Sequence, residues 1–253
     1  MCLNNTPKKS ADLLRNYNDA RIDLGLAGIS IPTKEMLKFN VDLALAKDAV
    51  HTELNFEEIA NNLSKMGFNP LLLASEASSK EEYLQRPDLG RKLSATSTDL
   101  ISKLAIEKAD IGFVVCDGLA ANAIATNAVS FIQLVTEKLQ TSNYTFSRLS
   151  LVKYGRVAIG DPIGSLLGSK IVIVLIGERP GLSATDSMGV YFTYKPELGK
   201  TDHQRNCISN IRPKGLPIEY AADKLCYLIH ESFRLKLSGV DLKDNFESMR
   251  LSK

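Results

Sequence analysis

The chain predicts an α/β fold: a parallel sheet with helical crossovers, preceded by a mostly helical N-terminal part. Three observations carry this. Ile171 to Ile176 (IVIVLI) is an unbroken apolar and mostly β-branched run, the pattern of a strand buried on both faces. Residues 111–176 alternate strand, helix, strand, helix, strand, which favours parallel pairing through crossovers. Before Asp110 the apolar residues instead recur at helical spacing. The expected division is therefore a helical part over 1–108 and an α/β part over 109–253.

In the first part, Pro32 and Thr33 open the pattern KEMLKFNVDLALAKDAVH, with Thr33 expected as the N-cap and Glu35 in the first turn. Further helices are expected over Asn55–Lys65, around Ser79–Leu84, and over Asp99–Glu107, the last entered through Ser94-Ala95-Thr96-Ser97-Thr98.

The second part opens with a buried strand, Ile111 to Cys116, then Asp117-Gly118 and a long helix, LAANAIATNAVSFIQLVTEKL. Phe146 to Lys153 is a second strand. Asp161 is expected to cap the next helix, with Pro162 at its first position. The 171–176 strand follows, then a fourth strand from Val190 to Tyr194. Pro217 opens the last long helix, which Gly239 is expected to end.

Composition narrows the function classes. At 253 residues, 44% hydrophobic and 24% charged, the chain can bury a core. Its net charge is +2 and no basic run exceeds a pair, so nothing calls for a nucleic-acid partner. No apolar run approaches the roughly 20 residues of a membrane-spanning helix. The polar N-terminus lacks the apolar core of a secretory signal, so Cys2 is not read as a lipoprotein cysteine. Cysteines at 2, 116, 207 and 226 have no disulfide-scaffold spacing, which suits a reducing cytoplasmic compartment.

Familiar motifs are missing or have ordinary explanations. Gly155 and Gly160 have Walker A spacing, but Asp161 stands where the lysine belongs, and no G-x-G-x-x-G occurs. Gly160, Gly164 and Gly168 recur every four residues, as close packing of a helix on a sheet requires. His203 with Cys207 and Cys226 with His230 have spacing that would suit zinc. Cys226 lies among core residues, however, where a free cysteine acts as a small hydrophobe, and no metal site is expected. No G-x-S-x-G elbow supports a self-contained hydrolase.

The informative stretch is 177–212. The strand stops at Gly177-Glu178-Arg179-Pro180-Gly181, at a strand end of the kind where α/β sheets bind ligands. Glu178, Arg179, Asp186, Asp202, Arg205, Asn206, Ser209, Asn210 and Arg212 crowd this stretch, and together suit a large polar ligand. LIGERPGLSATDSMGVYFTY, followed by TDHQRNCISNIRPKGL, resembles the small (light) subunit of ethanolamine ammonia-lyase. So do ARIDLGLAGISIPTKEMLKFNVDLALAKDAVH, LGRKLSATS, VCDGLAANA, GRVAIGDPIG and LSGVDLKD, which occur in that family's order and cover about residues 20–245.

The resemblance implies a Rossmann-like cobalamin-binding domain at 109–253. It also implies a hetero-oligomer with a large barrel subunit, which would hold ethanolamine and the catalytic groups. Adenosylcobalamin would lie between the subunits, and ethanolamine would become acetaldehyde and ammonia by a radical mechanism. This chain would contribute the nucleotide-side contacts, carried over as Val157 in GRVAIGD, Glu178 in GERPG and Cys207 in RNCIS. Ser209, Asn210 and Arg212 are added as candidate phosphate or amide contacts. The chain departs from the family pattern at Ala120, where serine is expected, and at Asn127, where histidine is common. A non-catalytic cofactor-binding or assembly module is the alternative, and location within a bacterial microcompartment fits the family's pathway.

Overall fold

The first helices within residues 21–251 are α1 (Thr33–His51) and α2 (Phe56–Lys65). A computed structural model describes Leu14 and residues 21–251; Cys2 and the polar N-terminus lie outside the described residues. Pro32, not Thr33, occupies the cap of α1. The Pro32 carbonyl already accepts from Glu35 and Met36, which makes Thr33 the first helical residue. In α2, Asn55 caps by accepting from the Glu58 N–H.

A strand then appears inside the segment expected to be mostly helical. β1 (Leu71–Ala74) is only four residues long, too short for periodicity to reveal. Helices α3 (Lys80–Gln85) and α4 (Ala95–Ser102) follow. The Ser94 hydroxyl caps α4 through the Ser97 N–H, so this helix starts within the Ser/Thr cluster and ends before the expected Glu107.

β2 (Ala109–Cys116) leads to α5 (Ala121–Leu139), then β3 (Ser150–Lys153), which is shorter than expected; Phe146 makes only an isolated bridge to Ile111. α6 (Gly160–Leu166) follows directly from a 3-10 turn at Val157–Ile159. Asp161 therefore lies inside the helix and is no cap; its carboxylate is engaged by Arg205 instead. β4 (Ser169–Gly177), β5 (Met188–Tyr194) and β6 (Arg205–Ile211) complete the sheet, and α7 (Ile218–Leu235) and α8 (Phe246–Leu251) close the chain. Lys236, with φ 59°, ends α7 three residues before Gly239.

The strands are ordered β1-β3-β2-β4-β5-β6. The first four run parallel, but β5 is antiparallel to β4 and β6 is antiparallel to β5. The sheet is thus mixed, which corrects the expectation of a parallel, Rossmann-like sheet. Residues 178–187 and 195–204 are all that join these strands, too few for the crossover that parallel pairing needs. β6 was unreadable as a strand because Arg205, Ile208 and Ile211 are its buried positions, a spacing of three, and the β5–β6 register shifts between Met188 and Val190.

Burial of the central strand on both faces is borne out. Ile171, Ile173 and Leu175 of β4 enter the core shared with α5 and α7, while Val172, Val174 and Ile176 enter the core shared with α4 and α6. Each such side chain is worth about 1.5–3 kcal/mol of transfer free energy. α6 approaches closely because a Cβ at Gly160 would lie 2.3 Å from Val174 Cγ2, and one at Gly164 2.8 Å from Val172 Cβ. Gly168 lies past the end of α6 with φ 67° and makes the turn into β4. It is a turn residue, not part of the packing face.

Candidate functional site

The parallel strands end at one edge of the sheet, and the site opens beyond the ends of β3 and β4. Asp117 follows β2, Tyr154 follows β3 and Glu178 follows β4. β2 has β3 on one side and β4 on the other, reached through helices on opposite faces, so the crevice lies where strand order reverses. Its floor is backbone. A Cβ at Gly177 would lie 2.2 Å from the Ala120 carbonyl oxygen, and one at Gly118, where φ is 62°, would lie 2.2 Å from the Gly177 carbonyl oxygen.

Glu178 is half-buried and held from three directions. Its N–H donates to the Ser187 carbonyl at 2.9 Å, and its Oε2 accepts from the Ser187 hydroxyl at 2.5 Å and from the Asn210 N–H at 3.1 Å. Asn210 presents that N–H from a left-handed conformation, φ 61°, at the end of β6. Gly189 leaves room beside the carboxylate, since a Cβ there would lie 2.8 Å from Oε1. The Ser187 hydroxyl and the Asn210 N–H both donate to Oε2, while Oε1 lies on the Gly189 side of the carboxylate.

Val157, half-buried, is the first residue of the 3-10 turn after β3. Cys207 is exposed on β6, directly across from Tyr191 on β5. Desolvation raises its thiol pKa, the adjacent Tyr191 hydroxyl opposes that rise, and the Glu178 charge adds to it. Two adjoining cavities join these positions. One, of about 430 Å³, opens at the strand ends among Leu119, Arg156, Val157, Gly177, Glu178 and Tyr191. The other, of about 240 Å³, continues over β5 and β6 between Arg91, Arg156, Val157, Tyr191, Arg205 and Cys207. Val157, Glu178 and Cys207, separated in sequence, therefore line one continuous cleft.

Much of the polar stretch at 177–212 holds the framework together. Arg205 is buried, donating to Asp161 at 2.6 Å, to Thr193 at 3.1 Å and to the Lys200 carbonyl at 3.0 Å. Asn206 exchanges two hydrogen bonds with the Gly239 backbone. Arg212 donates to the Asn210 side chain and to the Ser183 carbonyl, tying β6 to the loop carrying Ser187. The Asn210 side chain is thereby engaged within the protein, and its backbone N–H is what reaches the site. Ser209 and Arg179 are exposed.

Sequence reading missed Arg156, Tyr191 and a charged cluster behind them. Arg156 adjoins Val157 in GRVAIGD, and that adjacency was the available signal. Asp117 is buried and accepts from the Tyr154 and Gly118 N–H groups, yet burial still pushes its carboxyl up to about 6. Burial lowers the Lys80 pKa; Lys80 donates to the Gly118 carbonyl and lies 5.4 Å from the Tyr83 ring centre. The departures lie close by. Ala120 is buried with its carbonyl facing Gly177, and Asn127 donates within α5 to the Ala123 carbonyl.

The two Cys/His pairs do not converge: His203 hydrogen-bonds Thr201 and His230 hydrogen-bonds Tyr144. Among the described residues no group of three or more His, Cys, Asp or Glu is placed to hold a metal. No described helix is long and apolar enough to cross a membrane.

The family model for the ethanolamine ammonia-lyase light chain (EutC) matches residues 8–243. The chain is 45% identical over 241 residues to the ethanolamine ammonia-lyase small subunit of Azotobacter vinelandii, covering 94% of this chain and 89% of that one. It is 44% identical over 245 residues to the small subunit of Pseudomonas putida strain W619, covering 96% and 90%. Against the small subunit of Ralstonia nicotianae the identity is 46% over 237 residues, covering 92% and 88%.

Proposed function

This chain belongs to the ethanolamine ammonia-lyase light chain family, and from that membership we propose that it is the small subunit of an adenosylcobalamin-dependent enzyme converting ethanolamine to acetaldehyde and ammonia. The observation that carries the reading is the meeting of Val157, Glu178 and Cys207 along one cleft at the strand ends. The residues suit the group. Glu178 is a pre-positioned carboxylate acceptor for amide or hydroxyl donors, and charge-assisted bonds of this kind are the stronger class. Val157 and Cys207 supply apolar and polarizable walls, and the glycine floor admits close approach of a large ligand.

When bound, adenosylcobalamin supplies the radical chemistry through its cobalt–carbon bond. The share of this chain is binding, orientation and exclusion of water on the nucleotide side, within residues 109–253. The large subunit holds ethanolamine and the catalytic groups, so this chain is active only in the hetero-oligomer. A cytoplasmic setting, within a bacterial microcompartment, follows from the pathway in which the family works.

The test is ammonia release from ethanolamine plus adenosylcobalamin, with and without the large subunit. Release only by the assembled complex is expected. Release by the isolated chain, or none by a complex shown to be assembled, overturns the proposal. Cobalamin binding by an assembled but inactive complex would assign the chain as a cofactor-binding or assembly module instead.

A further inference from the structure

Arg156 stands at the junction of the two cavities and lines both. Its guanidinium carbon lies 4.3 Å from the centre of the Tyr83 ring, which is itself fully buried and donates to the Gly155 carbonyl at 3.1 Å. The Arg156 backbone N–H donates to the Gly90 carbonyl at 2.7 Å, and a Cβ at Gly90 would lie 2.9 Å from Arg156 Cγ. The arginine is therefore locked at its stem and flat at its head. Its hydrogen bonding is nevertheless incomplete. Among the described residues Nε is buried without a partner, and Nη2 donates to the Tyr83 carbonyl at 3.4 Å. A buried donor left unsatisfied is destabilising, and more so when it carries charge.

The other charges in the smaller cavity sharpen the reading. Arg205 is committed to Asp161, Thr193 and the Lys200 carbonyl, and Asp202, the carboxylate on that wall, faces Arg205 at 3.4 Å. Arg91 is exposed on the same wall. The uncommitted positive charge in the smaller cavity is thus that of Arg156 and Arg91, while Arg179 lies exposed on the larger one, beside Glu178. A planar guanidinium fixed on an aromatic ring is organised for bidentate contact with a phosphate-type anion.

We propose that Arg156, assisted by Arg91, anchors an anionic phosphodiester of the bound ligand. Resting on the cobalamin reading, the proposal identifies this anion as the phosphodiester of the cofactor's nucleotide loop and adds an electrostatic anchor to the contacts of Val157, Glu178 and Cys207.

The experiment is equilibrium titration of the complex with the large subunit, comparing cobalamin with cobinamide, a corrinoid lacking the phosphate, ribose and base. Arg156→Gln is expected to weaken cobalamin binding by about tenfold or more, with Arg156→Lys intermediate and Arg91→Gln about two- to fivefold weaker, while cobinamide binding changes less than about twofold in each. Equal weakening of both corrinoids by Arg156→Gln, or no change in cobalamin affinity, overturns the proposal. Should Arg156→Gln fail to fold, the exposed Arg91→Gln and the charge-conserving Arg156→Lys carry the comparison, and unchanged cobalamin affinity in both overturns it. A wild-type complex that binds neither corrinoid overturns the cobalamin reading itself, and the anchor with it.

Discussion

The backbone N–H of Asn210, at the end of β6, donates to Oε2 of Glu178, at the end of β4, across 3.1 Å. With the Ser187 hydroxyl on the same oxygen, this bond fixes the carboxylate before any ligand arrives. Pre-organisation of this kind limits the side-chain ordering cost of binding. Glu178→Gln keeps the size and one acceptor but removes the charge. We expect cobalamin affinity of the assembled complex to fall about tenfold, with a melting temperature within a few degrees of wild type. Spectroscopic titration and thermal unfolding measure the two effects, and unchanged affinity would remove Glu178 from the contacts.

Cys207 is the exposed member of the described cysteines; Cys116 and Cys226 are buried, and burial pushes the Cys226 thiol up to about 12. Alkylation followed by peptide mapping should label Cys207 well ahead of the other two. Because its pKa is raised, labelling should be slow near neutrality and accelerate in alkaline buffer. Saturating cobalamin in the complex should protect it, and labelling at an unaltered rate would place Cys207 outside the bound-ligand contacts.

The Arg205–Asp161 pair is buried, each side chain about 3% exposed. Asp161→Asn leaves an arginine charge in the core beneath β5 and β6, and should cost about 3–5 kcal/mol of stability by denaturant unfolding. Replacing both partners by apolar residues should cost less than the single change. A single-mutant loss below about 1 kcal/mol would mean that Asp202 and the Lys200 carbonyl suffice to hold Arg205.

Asp117 titrates near 6 when folded, against an ordinary value of 3.8. The native state thus retains this proton where the unfolded chain has lost it. Asp117 is most favourable to folding below about pH 4, and its contribution is lost as pH rises towards and through 6. The stability difference between wild type and Asp117→Asn should therefore move against wild type by up to roughly 3 kcal/mol between pH 4 and 7, then level off. Denaturant titrations across that range measure it, and a flat difference would mean an unshifted carboxyl.

Gly177→Ala places a methyl group 2.2 Å from the Ala120 carbonyl, a backbone atom with no room to yield. A loss of at least about 1–3 kcal/mol is expected, with weaker cobalamin binding as the following Glu178 shifts. Thermal unfolding and titration of the complex test both.

Much of the chain was legible before folding because its signals are local. The IVIVLI run could satisfy its side chains only between two cores, and β4 lies between two. The GERPG and RNCIS motifs carried the family, and with it Glu178, Val157 and Cys207. What failed to show were elements whose pattern depends on neighbours. β1 is four residues long, and β6 has its buried residues spaced by three beside a register shift. Capping was misplaced at Thr33 and Asp161 because a proline carbonyl and a preceding 3-10 turn had already begun those helices.

The sequence by itself determined the α/β class, the family, and which polar residues gather between 177 and 212. Only the tertiary structure decided which of those residues are left open to the cleft. Arg205, Asn206 and Arg212 have the same chemistry as ligand-binding residues, but each is engaged by distant parts of the chain: Asp161, Gly239 and Ser183. Arg156, inconspicuous in sequence, is left with an unsatisfied donor because Tyr83 and Gly90, more than sixty positions earlier, fix where its guanidinium lies. A hydrogen bond is consumed by whichever partner folding brings within reach, and that partner is set by the strand order, not by the local sequence.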